Sequence, residues 1–136
     1  MAEDNKLDCD VITRLAIYFP ILLQLARNRG TIFYSTLQDT AGKNEFYLRV
    51  ENIEVGQTLE WFRLFTDPLN LPDICALVVN KKTKRPGKSY DRNFDDESSK
   101  CFKQSDWKAE EFTEFLIHLS NFTGRPRHKI RPHFLD

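Results

Sequence analysis

Leu71–Asp91 reads LPDICALVVNKKTKRPGKSYD. Within it a short apolar run, Ala76-Leu77-Val78-Val79, leads into a basic segment closed by Arg85-Pro86-Gly87. The run is rich in β-branched residues and bounded by turn residues, which predicts a buried strand over Ala76–Val79. Pro86-Gly87 predicts a tight turn, because proline presets φ and glycine accepts a positive one. From Lys81 to Arg92 stand six cations (Lys81, Lys82, Lys84, Arg85, Lys88 and Arg92) against one acid, Asp91. A buried strand that carries a cationic loop into solvent presents charge to a phosphate backbone. The same composition also serves a loop that lysine merely keeps solvated.

Outward from this segment, 136 residues make one domain with a real core. Twenty basic and twenty acidic side chains cancel, so charge matters through its distribution. A second basic stretch lies at the end, where Arg125, Arg127, Lys129 and Arg131 face only Asp136. Cys9, Cys75 and Cys101 have no CxxC spacing, and their odd number, with no signal peptide, predicts a reducing cytoplasm. The longest apolar run, Ile17–Leu23, is too short to span a bilayer. His118, His128 and His133 lie far from Cys9 and Cys75, so no zinc site is expected.

Apolar periodicity places a helix over Asp8–Arg27, either broken at Pro20 or kinked there, with Gly30 as its C-terminal cap. A short strand Thr31–Tyr34 and a short helix from Ser35 to Thr40 follow. Val55–Phe65 is the next helix, with Leu59, Phe62 and Phe65 inward. Ser89–Gln104 reads as polar and turn-rich. The last helix, capped by Ser105 or Asp106, carries the stripe Phe112, Phe115, Leu116, Leu119 and Phe122. Residues 1–124 form the domain. Residues 125–136 form a basic arm, anchored only through Ile130, Phe134 and Leu135 if it docks. The predicted class is α+β, of winged helix-turn-helix type, with an additional C-terminal helix and basic tail.

Three blocks, Ile32-Phe33-Tyr34-Ser35-Thr36-Leu37, Val55-Gly56-Gln57-Thr58-Leu59 and Cys75-Ala76-Leu77-Val78-Val79, resemble the TYGxLA, AVGxAL and PCHRVV blocks of the DNA-binding domain of alkylguanine-DNA alkyltransferases and alkyltransferase-like proteins. The chain is also similar to small uncharacterised phage and bacterial proteins with a VVNKxTGLPG strand and turn and an aromatic-Asp-Trp segment. Asn80-Lys81-Lys82-Thr83, Pro86-Gly87 and Ser105-Asp106-Trp107 carry that likeness. Together the two cover about residues 20–108. The first implies a DNA-binding winged helix in which Tyr34 lies against the target phosphate. The chain departs from it where chemistry is concerned. Cys75 stands at the nucleophile position, but Ala76 replaces the histidine that relays the thiol proton and Ile74 replaces the preceding proline. Ile53 replaces the arginine that takes the place of a flipped base. A thiol with no adjacent base is a poor nucleophile at neutral pH, so no alkyl transfer is expected.

Pro72-Asp73 with Asp106-Trp107-Lys108 has the spacing of a PD…DxK nuclease, but Asp106 falls at a helix start, where a cap is expected. There is no P-loop, HExxH or GxSxG, and no cofactor is expected. The expected function is non-enzymatic DNA binding, mainly through the phosphate backbone. Its candidate contacts are Tyr34, Ser35, Gln57, Lys81, Lys82, Lys84, Arg85, Lys88, Arg125 and Arg127, with Asn52 and Arg63 behind Gln57. The alternative is a protein-binding modulator or inhibitor of an enzyme, built on the same fold. Eleven phenylalanines in a neutral chain leave material for an apolar patch.

Overall fold

The computed structural model describes residues 6–87 and 90–130. Six α-helices surround a two-stranded parallel sheet, so the chain is α+β and mostly helical. Helix α1 runs Cys9–Arg27 and is capped by the Asp8 carboxylate, which accepts from Val11 N. It passes unbroken through Pro20. Proline removes the hydrogen bond to the carbonyl four residues back, and both Ala16 and Pro20 are exposed, so that carbonyl meets water. Arg29, at φ 56°, takes the left-handed position expected of Gly30. By length and a mean hydropathy of 1.5, α1 is apolar enough to cross a membrane. Here it is a core helix. Val11, Leu15, Tyr18, Phe19, Leu22 and Ala26 are buried in the body, as is Arg14, whose Nε donates to Thr58 Oγ1 at 2.9 Å.

Strand β1, Ile32–Phe33, pairs in parallel with β2, Val78–Val79, in the register Ile32↔Val78 and Phe33↔Val79. The expected strand is therefore half as long as Ala76–Val79. Asp73 accepts from Cys75 N and starts a 3₁₀ helix over Ile74–Leu77 instead. Between the strands lie α2 (Tyr34–Ala41), α3 (Asn52–Glu60) and α4 (Arg63–Thr66). The single helix expected over Val55–Phe65 divides at Trp61-Phe62. Bonds from Trp61 N to Thr58 O, Phe62 N to Leu59 O and Leu64 N to Trp61 O tighten the chain to a three-residue turn. That tightening turns Trp61, Phe62 and Phe65 all inward, each fully buried.

Helix α5, Phe94–Lys103, occupies the stretch expected to be turns. Asn93 caps it, Asp95, Asp96 and Glu97 fill its first turn, and Lys100 and Lys103 its last. These charges complement the helix dipole. Helix α6, Ala109–Leu119, starts after Lys108 in the left-handed conformation, φ 58°. Phe112 of α6 stacks on Phe19 of α1 with centroids 3.8 Å apart, and Phe62, Phe65 and Phe115 close around the pair. Phe112, Phe115 and Leu119 of the expected stripe are buried, whereas Leu116 and Phe122 lie at its margin.

The arm docks as far as it is described. Leu7 N donates to Arg125 O and Gly124 N to Leu7 O, which ties the two ends of the chain together. Ile130 is buried in the core. Phe134 and Leu135 lie outside the described residues.

Truncating a fully buried phenylalanine costs ~3–5 kcal/mol and a buried isoleucine ~2–5. Phe115→Ala is therefore expected to lower stability by about 3–5 kcal/mol, and Ile130→Ala by about 2 or more. Urea melts of the two variants check this. A wild-type midpoint for Ile130→Ala would mean that the arm leaves the body in solution.

Candidate nucleic-acid interface

Downstream of β2 the chain makes a closed loop. Asn80 N donates to Arg85 O at 2.6 Å and Lys84 N to Asn80 O at 2.8 Å. The Asn80 side chain accepts from Lys82 N, and Thr83 Oγ1 both accepts from Arg85 N and donates to Arg85 O. The turn thus falls on Lys81–Lys84, ahead of Pro86-Gly87, and Lys84 rather than glycine takes the positive φ, 60°. An asparagine side chain that bonds the backbone two residues on fixes such a turn without glycine. Lys81 and Lys82 are exposed and make no ion pair among the described residues. The Lys84 ammonium stands 4.5 Å over the Phe33 ring. Arg85 is shared between Asp95, at 3.6 Å, and the Phe94 ring. Lys88 lies outside the described residues.

Pro86 and Gly87, which follow the loop, line a cavity of about 440 Å³ together with Tyr34, Gly56, Gln57, Cys75 and Tyr90 among others. Cavities of this size hold small ligands. Tyr34 is half-buried at the start of α2, and its hydroxyl meets the Gly87 backbone. That contact joins the α2 end of β1 to the chain leaving β2. Burial raises the Tyr34 phenol above its ordinary range, against the pull of the Gly87 backbone. Gln57 is exposed on α3. Asn52 and Arg63 also line the cavity, but Asn52 accepts from Gln38 and Arg63 is bound to Asp73 and Asp91. Ser35 sits in the first turn of α2, half-buried, outside the lining. Arg127 reaches α3 from the arm, donating to Glu60 O at 3.1 Å with its other nitrogen 3.5 Å from the Glu60 carboxylate. Arg125 is exposed and lies over the Phe122 ring. Tyr34, Gln57 and the Pro86-Gly87 segment that leaves the loop therefore line one cavity, which Arg127 reaches only through its partner Glu60, while Lys81, Lys82, Lys84 and Arg85 lie outside the lining.

Sequence reasoning missed the group beneath the cavity. Asp73 has no solvent exposure. Its Oδ2 accepts from Arg63 at 3.0 Å and from Tyr90 Oη at 2.9 Å, with Arg92 3.9 Å away. Its Oδ1 accepts from Cys75 N, its own N–H donates to Glu97, and its carbonyl accepts from Cys101 Sγ. The one signal was Pro72-Asp73, read as half of a nuclease spacing. Asp73 is consumed by this network, and Asp106 is exposed and caps Lys108 N. Among the described residues no cluster of three or more His, Cys, Asp or Glu is arranged to hold a metal.

Cys75 lines the cavity, yet its Sγ donates to Leu59 O at 2.8 Å. Burial pushes its thiol well above the ordinary range, and the Asp73 carboxylate adds to the shift. Cys101 is raised in the same way. Trp61 and Trp107 are core residues. Comparison with protein families, with curated proteins and with solved structures finds no match to this chain.

Asp73→Ala leaves Arg63 and Tyr90 without their buried acceptor and removes the cap of the 3₁₀ helix. Breaking a buried ion pair costs ~3–5 kcal/mol, and a loss of that size is expected in urea melts. A loss below about 1 kcal/mol, the worth of a surface pair, would show that the network is solvated.

A second expectation concerns pH. The unfolded chain gives up its thiol protons near pH 8.5, whereas folded Cys75 and Cys101 keep theirs. Above about pH 8.5 the folded state then binds more protons than the unfolded one, so stability falls as pH rises. Below that pH both states are protonated and the contribution is complete. The slope is up to ~1.4 kcal/mol per pH unit for each thiol. Denaturation at a series of pH values above 8, with alkylation of exposed Cys9 as the internal reference, measures both effects. Native-state labelling of Cys75 as fast as Cys9 would refute the buried, inert thiol.

Proposed function

We propose that this chain is a non-catalytic DNA-binding domain of winged-helix type, in which α2 and α3 serve as the helix-turn-helix pair and the Asn80–Arg85 loop as the wing. One observation carries the reading. A loop locked by its own hydrogen bonds holds Lys81 and Lys82 out in solvent, without an ion pair among the described residues, and the chain that leaves it, Pro86-Gly87, lines a cavity together with α3. Phosphate contacts by such lysines supply affinity and register without sequence information. Gln57 is the side chain on α3 able to meet a base edge. The cavity gives an extruded or unpaired base a half-apolar seat beside Tyr34, Pro86 and Gly87. Proteins that take a base out of the stack gain selectivity where pairing is already weak. The resemblance to the alkyltransferase DNA-binding domain supports the same use. The Cys75 thiol, hydrogen-bonded to Leu59 O and kept protonated by burial, supports recognition without transfer.

In a fluorescence titration over a salt series, each lost phosphate contact flattens the slope of log K against log salt by ~0.9 on duplex DNA. Lys81→Ala/Lys82→Ala is expected to flatten it by about 1.8 with the melting curve unchanged. The cavity has its own variant. A Cβ on Gly56 meets nothing within 4 Å, so Gly56→Leu fills the mouth without strain in α3. That variant is expected to keep the salt slope and to lose any preference for a mismatched duplex over a paired one. No binding at about 50 mM salt, where phosphate contacts are strongest, would overturn the proposal.

A further inference from the structure

Phe46, Leu48 and Ile53 are 71%, 67% and 68% exposed, and with Ile117 they are the large apolar side chains most open to water among the described residues. Three of the four fall within eight residues of chain, between α2 and the first turn of α3. Their exposure does not come from a slack loop. Tyr47 turns inward, where its hydroxyl bonds Gln38 and Tyr18. Gln38 also holds the Val50 backbone by both its N–H and its carbonyl, and Asn44 holds Phe46 N and Tyr47 N. With Tyr47 buried and the Asn44–Tyr47 turn closed by its own hydrogen bond, Phe46 and Leu48 are left on the solvent side. Clustered exposed apolar residues mark interaction surfaces more often than scattered ones.

Charge identifies the occupant. Glu45, Glu51 and Glu54 lie among these residues, exposed, and none makes an ion pair among the described residues. Arg49 is committed to Asp39 at 2.6 Å, which leaves Lys43 as the opposing charge. An anionic rim repels a phosphate backbone and an anionic membrane alike, and it favours cationic partners. We propose that the Phe46–Leu48–Ile53 surface docks a protein segment that is both apolar and cationic, such as an amphipathic helix with Lys or Arg beside its apolar stripe. Ile53 also lines the cavity used by the DNA-binding reading, whereas Phe46 and Leu48 lie outside that lining.

The probe is a labelled Leu/Lys peptide of about fourteen residues at helical spacing, titrated with the full chain at about 0.15 M salt. The controls replace Lys by Glu, or Leu by Ser. Binding is expected for the Leu/Lys peptide and for neither control. Phe46→Ser/Leu48→Ser and Glu45→Lys/Glu51→Lys are each expected to weaken it about tenfold or more. Both pairs are solvent-exposed, and Ile53→Ser stands in should the first pair unfold. Equal affinity for wild type and either double variant would overturn the proposal. So would self-association that Phe46→Ser/Leu48→Ser abolishes, which would make a second copy the occupant. DNA binding lost with the apolar pair, in a chain that ignores the peptide, would assign the surface to nucleic acid instead.

Discussion

The arrangement hangs on one buried carboxylate. Asp73 caps the 3₁₀ helix that leads into β2, accepts from Arg63 of α4 and from Tyr90 beyond the basic loop, and ties to α5 through Glu97 and Cys101. Three segments distant in sequence, α4, the chain at Tyr90 and α5, therefore converge on one residue. A carboxylate without solvent exposure is costly unless paired and hydrogen-bonded. Here those bonds are supplied on both oxygens, so the cost becomes a condition that the segments be in place together. Its effect reaches the cavity directly. Arg63, Cys75 and Tyr90 are at once Asp73's partners and part of the cavity wall.

Two other networks set the opposite wall. The phenylalanine cluster of Phe19, Phe62, Phe65, Phe112 and Phe115 clamps α6 and α1 onto α4. The polar chain Tyr18–Tyr47–Gln38–Val50 fixes the segment that enters α3. Stacked rings supply burial with little orientation of their own, whereas the side-chain amide of Gln38 satisfies a backbone donor and acceptor at defined positions. Together they give α3 both a support and an angle. Gln57 and Gly56 face the cavity for that reason.

Much of this was legible in the sequence, where periodicity carried the signal. The inward stripes of α1 and α6 and the apolar face through Leu59, Phe62 and Phe65 all follow from spacing. What periodicity could not show was side-chain chemistry overriding it. Asp73 converted half of an apolar β-branched run into 3₁₀ helix. Asn80 moved the turn ahead of Pro86-Gly87. Helix α5 has Ser98 and Cys101 as its buried residues, too few for a stripe, and declares itself only by its Asn93 cap and by acids at one end and lysines at the other. Of the site, the basic loop and Gln57 could be named in advance. Tyr90 could not, and the sequence suggests Arg63 as a DNA contact rather than as the partner of Asp73, because both roles depend on a carboxylate buried out of sequence reach.

Zero net charge conceals a division that gives the chain two different surfaces. Arg85 and Arg127 are drawn onto Asp95 and Glu60, and Arg63 and Arg92 onto Asp73 and its neighbours, so the cations left unopposed in the basic segment after β2 include Lys81 and Lys82. The carboxylates left unopposed include Glu45, Glu51 and Glu54, at the entrance to α3. Internal pairing thus takes several charges out of the balance and leaves Lys81 and Lys82 on one loop and three glutamates among exposed apolar residues elsewhere. At physiological salt, fields between exposed groups fade beyond ~8 Å. Each surface then presents its own sign to what approaches it, however neutral the whole chain is.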